Sequence, residues 1–232
     1  MNIRYLSVAL AVVLLAGGAW WYTRGAPSYS HTLAAGDTVA SWDFQGSHDD
    51  GGELEKRAND EITRLKTLLH NEEGEPTDYS LYVGIANQYN LLGDGAHSYE
   101  YLLLALAIDA EKTGLAWHNL AALMERLGAL GTARDAYARA VDAQPQIEQY
   151  TIARLEFLTK HFSDDTALLE ATFEESEASF KRPISILQIK AAWLTKLGRF
   201  EEAIDAWKKV QALMPEYDPA IDKEIARLRA RL

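Results

Sequence analysis

The chain has no cysteine among its 232 residues. That absence excludes a disulfide framework, a thiolate metal site, a cysteine nucleophile and a lipid-modified cysteine. Basic residues are in deficit as well: 23 Lys and Arg stand against 34 Asp and Glu, a net charge of −11. Nucleic-acid binding runs on clustered cations that displace counterions from phosphates, so a DNA or RNA partner is not expected. The common catalytic signatures are missing: no His-Glu-x-x-His, Gly-x-x-x-x-Gly-Lys, Gly-x-Ser-x-Gly or Gly-x-Gly-x-x-Gly occurs. The histidines at 31, 48, 70, 97, 118 and 161 are isolated, with no pair at ligand spacing, and His48-Asp49-Asp50 lacks the spaced oxygens of a calcium loop. No catalytic residue, metal, cofactor or small-molecule substrate is therefore expected.

One long uncharged run is present, Tyr5 to Tyr22, rich in Leu, Val and Ala and bounded by Arg4 and Arg24. As a helix it reaches about 26 Å, close to the ~30 Å hydrocarbon core of a bilayer. Residues 1–24 read as an N-terminal transmembrane anchor that meets the membrane through residues 5–22, with Trp20-Trp21-Tyr22 as an aromatic belt. The competing reading is a cleaved signal peptide, with Leu6 to Ala16 as its apolar region and Gly17-Gly18-Ala19 at the cleavage site. No Lys or Arg follows Arg24 until Lys56, which favours an inside amino terminus. Both readings place the remaining chain outside the cytoplasm, and the first makes it a single-pass protein of the cell membrane.

Residues 25–52 hold Pro27 and five glycines with no apolar period, the composition of a flexible tether. Ser41-Trp42-Asp43-Phe44 puts two aromatics where a tether should be polar, so this cluster is expected to pack back on the folded domain or to meet a partner. Acidity concentrates here: residues 25–78 carry twelve Asp and Glu against four Lys and Arg. From Glu53 the period becomes helical. Leu54, Ala58, Ile62, Leu65 and Leu69 mark one stripe of a leading amphipathic helix within 53–75, ended by Pro76.

An internal repeat then dominates. Gly93, Gly128 and Gly198 are spaced by 35 and 70 residues, and seven further columns keep the same register. Among them are Tyr82/Trp117/Leu187, Ala86/Ala121/Ala191, Ser98/Ala133/Ala203, Leu102/Tyr137/Trp207 and Ala105/Ala140/Val210. Each unit reads as two antiparallel helices: bulky and small residues share one face of the first, the glycine ends it, and Pro145 or Pro215 ends the second. One such pair cannot bury both faces alone, so the units must stack. Asp218-Pro219 followed by Ile221, Ile225 and Leu228 suits a closing helix at 218–232.

Trp117, Leu120, Ala121, Met124, Ala133, Tyr137, Ala140 and Pro145 resemble the tetratricopeptide repeat pattern. The likeness extends to repeats at 79–113, 114–148 and 184–217, with a degenerate unit at 149–183. There Glu156 takes the small slot, Thr159 an aromatic slot and Ser163-Asp164-Asp165 the glycine turn. The resemblance implies an all-α fold, a right-handed superhelix of stacked antiparallel helix pairs, here following the transmembrane helix. It also implies a concave groove, lined by the first helix of each unit, that binds a protein or peptide partner. Members that hold a partner's carboxylate there use positions that map onto Val83, Asn87, Asn119, Tyr150 and Arg154; both Asn and the Arg match, and both expected Lys are replaced. His118, Glu125 and Arg126 of the second unit, and Gln188, Thr195 and Lys196 of the last, are expected in the same groove.

The chain therefore reads as a membrane-tethered, extracytoplasmic repeat scaffold. The alternatives are a repeat subunit of a cytochrome c maturation (haem ligation) complex, which the last unit and closing helix resemble, and a permanent subunit of an envelope or surface-appendage assembly machine.

Overall fold

The computed structural model describes residues 31–71 and 74–232. Ten α-helices follow one another among them: α1 Glu53–Thr67, α2 Asp78–Leu92, α3 Gly95–Ile108, α4 Leu115–Arg126, α5 Leu130–Ala143, α6 Glu148–His161, α7 Thr166–Ser179, α8 Ile184–Lys196, α9 Phe200–Leu213 and α10 Pro219–Arg229. No strand forms among the described residues. Each helix packs mainly on its neighbours in the chain, which makes the fold a serial, repeat-like array of helices.

The most extensive pairs are α2 with α3, α4 with α5 and α8 with α9, the three units whose columns repeat in the sequence. Each turns on a left-handed glycine: Gly93 at φ 85°, Gly128 at φ 80° and Gly198 at φ 76°. The residue after each glycine donates its N–H back to the carbonyl five residues earlier, Asp94 to Tyr89, Ala129 to Met124 and Arg199 to Leu194, all at 2.9 Å. Three identical Schellman motifs thus set the reversal of each pair, and they satisfy carbonyls that a helix end leaves open. The small columns lie at the contacts: Ala86, Ala121, Ala191, Ala105, Ala140 and Val210 are all fully buried. Trp117 is also fully buried and donates its indole N–H to the Ala110 carbonyl at 2.7 Å.

The unit at 149–183 departs from this plan. The α6–α7 turn is closed by Asp165, whose carboxylate accepts the Leu168 N–H at 3.1 Å. Glu156, assigned by register to a small buried slot, is exposed, while Phe157 and Leu158 are buried. Burying an unpaired carboxylate costs several kcal/mol, so α6 is rotated to bury Phe157 instead. Contact of α7 with α8 is sparse. Trp193 fills that joint, with its ring 5.5 Å from Phe173 and its N–H donated to the Ser163 carbonyl at 3.2 Å. At the ends of the array, α1 closes a small core of Ile62, Leu65, Leu81 and Ile85, and α10 buries Ile221, Ile225 and Leu228.

Two expectations are corrected. Among the described residues no helix is long and apolar enough to cross a membrane. The longest, α1 and α2, have 15 residues and reach about 22 Å, short of a ~30 Å apolar core. A transmembrane helix is thus no part of the described fold and a single-pass placement in the cell membrane is not seen; residues 5–22 lie outside the described residues. The second correction concerns residues 31–49 of the expected flexible tether. They form a strap bound against α3, α4 and α5, and the Trp42/Phe44 cluster packs back on the array.

Candidate functional site

The first helices of the units are α2, α4, α6 and α8. Between α2 and α4, the Asn119 side-chain N–H donates to the Asn87 side-chain oxygen at 2.9 Å, so the two asparagines meet across neighbouring units. Asn87 remains exposed. Gln188 and Lys196 on α8 are exposed and engage no partner among the described residues.

The other expected groove residues are placed differently. His118 is wedged between Tyr150 and Tyr137, with ring centroids at 5.4 and 5.9 Å. Burial lowers its pKa below the ordinary histidine value and favours the neutral ring. Arg126 stacks its guanidinium over the Phe44 ring at 4.8 Å and so belongs to the strap contact. Arg154 faces Glu175 at 3.9 Å and lines a cleft with Val141, Asp142, Thr151 and Ser176, so it does not join Asn87 and Asn119. The rotation of α6 that buries Phe157 accounts for this.

Glu125 does not stand free in the groove either. Its carboxylate accepts Lys160 Nζ at 2.8 Å, His161 Nε2 at 2.8 Å and the Tyr137 hydroxyl at 3.2 Å, which ties α4 to α6. Burial alone would raise its pKa, but the donors outweigh burial and hold the carboxyl below its usual range. Burial, with the neighbouring carboxylate, pushes the Tyr137 hydroxyl up.

A cleft of about 640 Å³ opens beside the distorted unit, where α7 leaves α8 and α9. Glu170, Glu174, Glu177 and Glu202 stand on its walls over Trp193 and Leu194. Its cations are already engaged: Arg199 lies 2.5 Å from both Glu170 and Glu202, and Lys190 lies 2.5 Å from Glu177.

The strap occupies a further surface. Helix α5 has no side-chain cap of its own, and Asp37 supplies one from the strap. Its carboxylate accepts the N–H groups of Gly131 at 3.2 Å and Thr132 at 2.6 Å, and the Thr132 hydroxyl at 2.7 Å. These donors overcome burial and hold Asp37 below its usual value. Three backbone bonds follow: Gly95 N–H to the Trp42 carbonyl at 2.9 Å, Phe44 N–H to Gly93 at 3.0 Å and His48 N–H to Leu91 at 2.9 Å. Trp42 packs 5.0 Å from the Tyr99 ring, and His31 sits edge-on to Trp117 at 5.5 Å. Glycines permit the close approach, since a Cβ on Gly95 would lie 2.5 Å from the Trp42 oxygen and one on Gly46 would lie 2.2 Å from the Leu91 oxygen.

Among the described residues no group of three or more His, Asp or Glu is placed to hold a metal ion. No family model matches the chain and no curated protein matches it.

Proposed function

We propose that the chain is a tetratricopeptide-like scaffold that binds an extended segment of a protein partner on the exposed face of its first helices. The observation that carries this reading is the repeated turn. Three Schellman motifs in one 35-residue register reverse the chain after α2, α4 and α8, and Asn119 on α4 links to Asn87 on α2. Glu125 locks α4 to α6, so the face is stiff before any partner arrives. A stiff face loses little conformational entropy on binding. Amide groups at Asn87 and Gln188 can donate to and accept from a peptide backbone, and Lys196 adds one cation for an acidic side chain.

The test is a random-peptide display selection on the full chain, followed by affinity measurement against the triple variant Asn87→Ala, Gln188→Ala, Lys196→Glu. Selected peptides are expected to bind the variant at least about ten-fold more weakly, a loss of about 1.4 kcal/mol. The melting temperature should fall by no more than the lost Asn119–Asn87 bond explains, about 0.5–1.5 kcal/mol, because all three residues are exposed. Equal binding to the variant would place the interaction elsewhere.

A further inference from the structure

The strap is held as a bound peptide is held. It has no helix or strand of its own, and none of its residues belongs to the fully buried apolar core, which begins at Ala58. Leu33, Val39, Trp42 and Phe44 are only partly buried. What fixes the strap is a series of separate recognition points: a carboxylate on an otherwise uncapped helix end, three backbone bonds, the Ala34 N–H on the Thr132 hydroxyl oxygen, the Tyr99 hydroxyl on the His31 carbonyl and two aromatic contacts. One charge is matched as well: Arg134 is close enough to act on Asp37, and Arg126 stacks over Phe44.

We propose that the seam between α3 and α5 is a recognition groove for an extended protein segment with a carboxylate five residues ahead of a Trp-x-Phe pair. Residues 31–49 are its resident, displaceable occupant, with Asp37, Trp42 and Phe44 in those places. Gly51 and Gly52 join the strap to α1, with Gly51 left-handed at φ 65°. So short a joint gives a cis segment an effective concentration of about 1 mM, so a partner at about 1 μM competes at a thousand-fold disadvantage. Release of the strap therefore controls access. Asn87, Gln188 and Lys196 are not among the residues that hold the strap, so either proposal can fail without the other.

The experiment uses the full chain with a protease site inserted between Gly51 and Gly52. After cutting, an excess of a fluorescent synthetic peptide spanning residues 31–49 is added and uptake is followed by anisotropy. Saturable uptake by the cut chain is expected, at least about a hundred-fold stronger than by the uncut chain. Peptides carrying Asp37→Ala or Trp42→Ala should each lose at least about ten-fold. A second measurement does not depend on cutting: the uncut chain carrying Asp37→Ala and Trp42→Ala should take up the unaltered peptide better than the unaltered chain does. The proposal is overturned if a cut chain of unchanged helical content takes up no peptide, or takes up the substituted peptides equally well. It is likewise overturned if the uncut chain forms a concentration-dependent dimer that the peptide dissolves, since the seam would then serve self-association.

Discussion

Replacing Gly95 by alanine separates the strap from the array beneath it. Gly95 is the first residue of α3, so the helix-interior advantage of alanine over glycine, about 1 kcal/mol, is an upper limit there. The added Cβ would lie 2.5 Å from the Trp42 oxygen and 3.2 Å from the Phe44 ring. The strap must move, and the Gly95 N–H to Trp42 bond goes with it, about 0.5–1.5 kcal/mol. The Phe44–Arg126 contact goes too, about 0.5–1 kcal/mol. The losses exceed the gain by about 0–2.5 kcal/mol, so the melting temperature should fall by less than about 10 °C. The local change should be much larger. Hydrogen exchange at the Phe44 and His48 amides should rise toward unprotected rates while α2 to α5 stay protected. Unaltered protection at 41–49 would show that this crossing does not hold the strap. A fall of more than about 10 °C would show that the strap is integral to the core.

The turn glycines should rank by what lies around them. Gly128→Ala and Gly198→Ala each force an L residue into the left-handed region and should cost about 1–2 kcal/mol, whereas Gly93→Ala should cost more because its Cβ would lie 1.9 Å from the Phe44 oxygen; calorimetry on the three variants gives the order. Asp37→Ala removes the cap of α5 and should cost about 1 kcal/mol in denaturant unfolding. The native pKa of Asp37 is depressed, so its contribution is complete above the unfolded value near 3.9 and is lost as pH falls through the lower folded value; strap protection measured below about pH 4 should fall in the parent and not in Asp37→Asn. Glu125→Gln should loosen α6 from α4 at a cost of about 1–2 kcal/mol, discounted for partial exposure, and should lower the Tyr137 phenol toward its ordinary value in an ultraviolet titration.

The repeated units were readable because each column has a steric cause. A left-handed turn needs glycine and a close helix contact needs alanine, so Gly93, Gly128, Gly198, Ala86, Ala121 and Ala191 announce their positions in the sequence. The distorted unit was readable only as a departure: nothing local shows that α6 turns to bury Phe157, because that depends on what surrounds Glu156 in three dimensions. Arg154 was misplaced for this reason. The strap had weaker signals. Trp42 and Phe44 in a polar stretch pointed to packing, but Asp37 capping a helix that begins 93 residues later is a tertiary contact with no sequence period. Gly46 and Gly95 were the missed clues, each sitting where one backbone crosses another.

The scaffold reading is tested most directly by placing a photoreactive residue at Gln188, on the proposed face, or at Ala171, exposed on α7, and irradiating each with a peptide selected on the full chain. Cross-links to the peptide from position 188 and none from position 171 are the expected result. Cross-links from 171 alone, or from neither position at saturating peptide, would contradict a binding face built from the first helices.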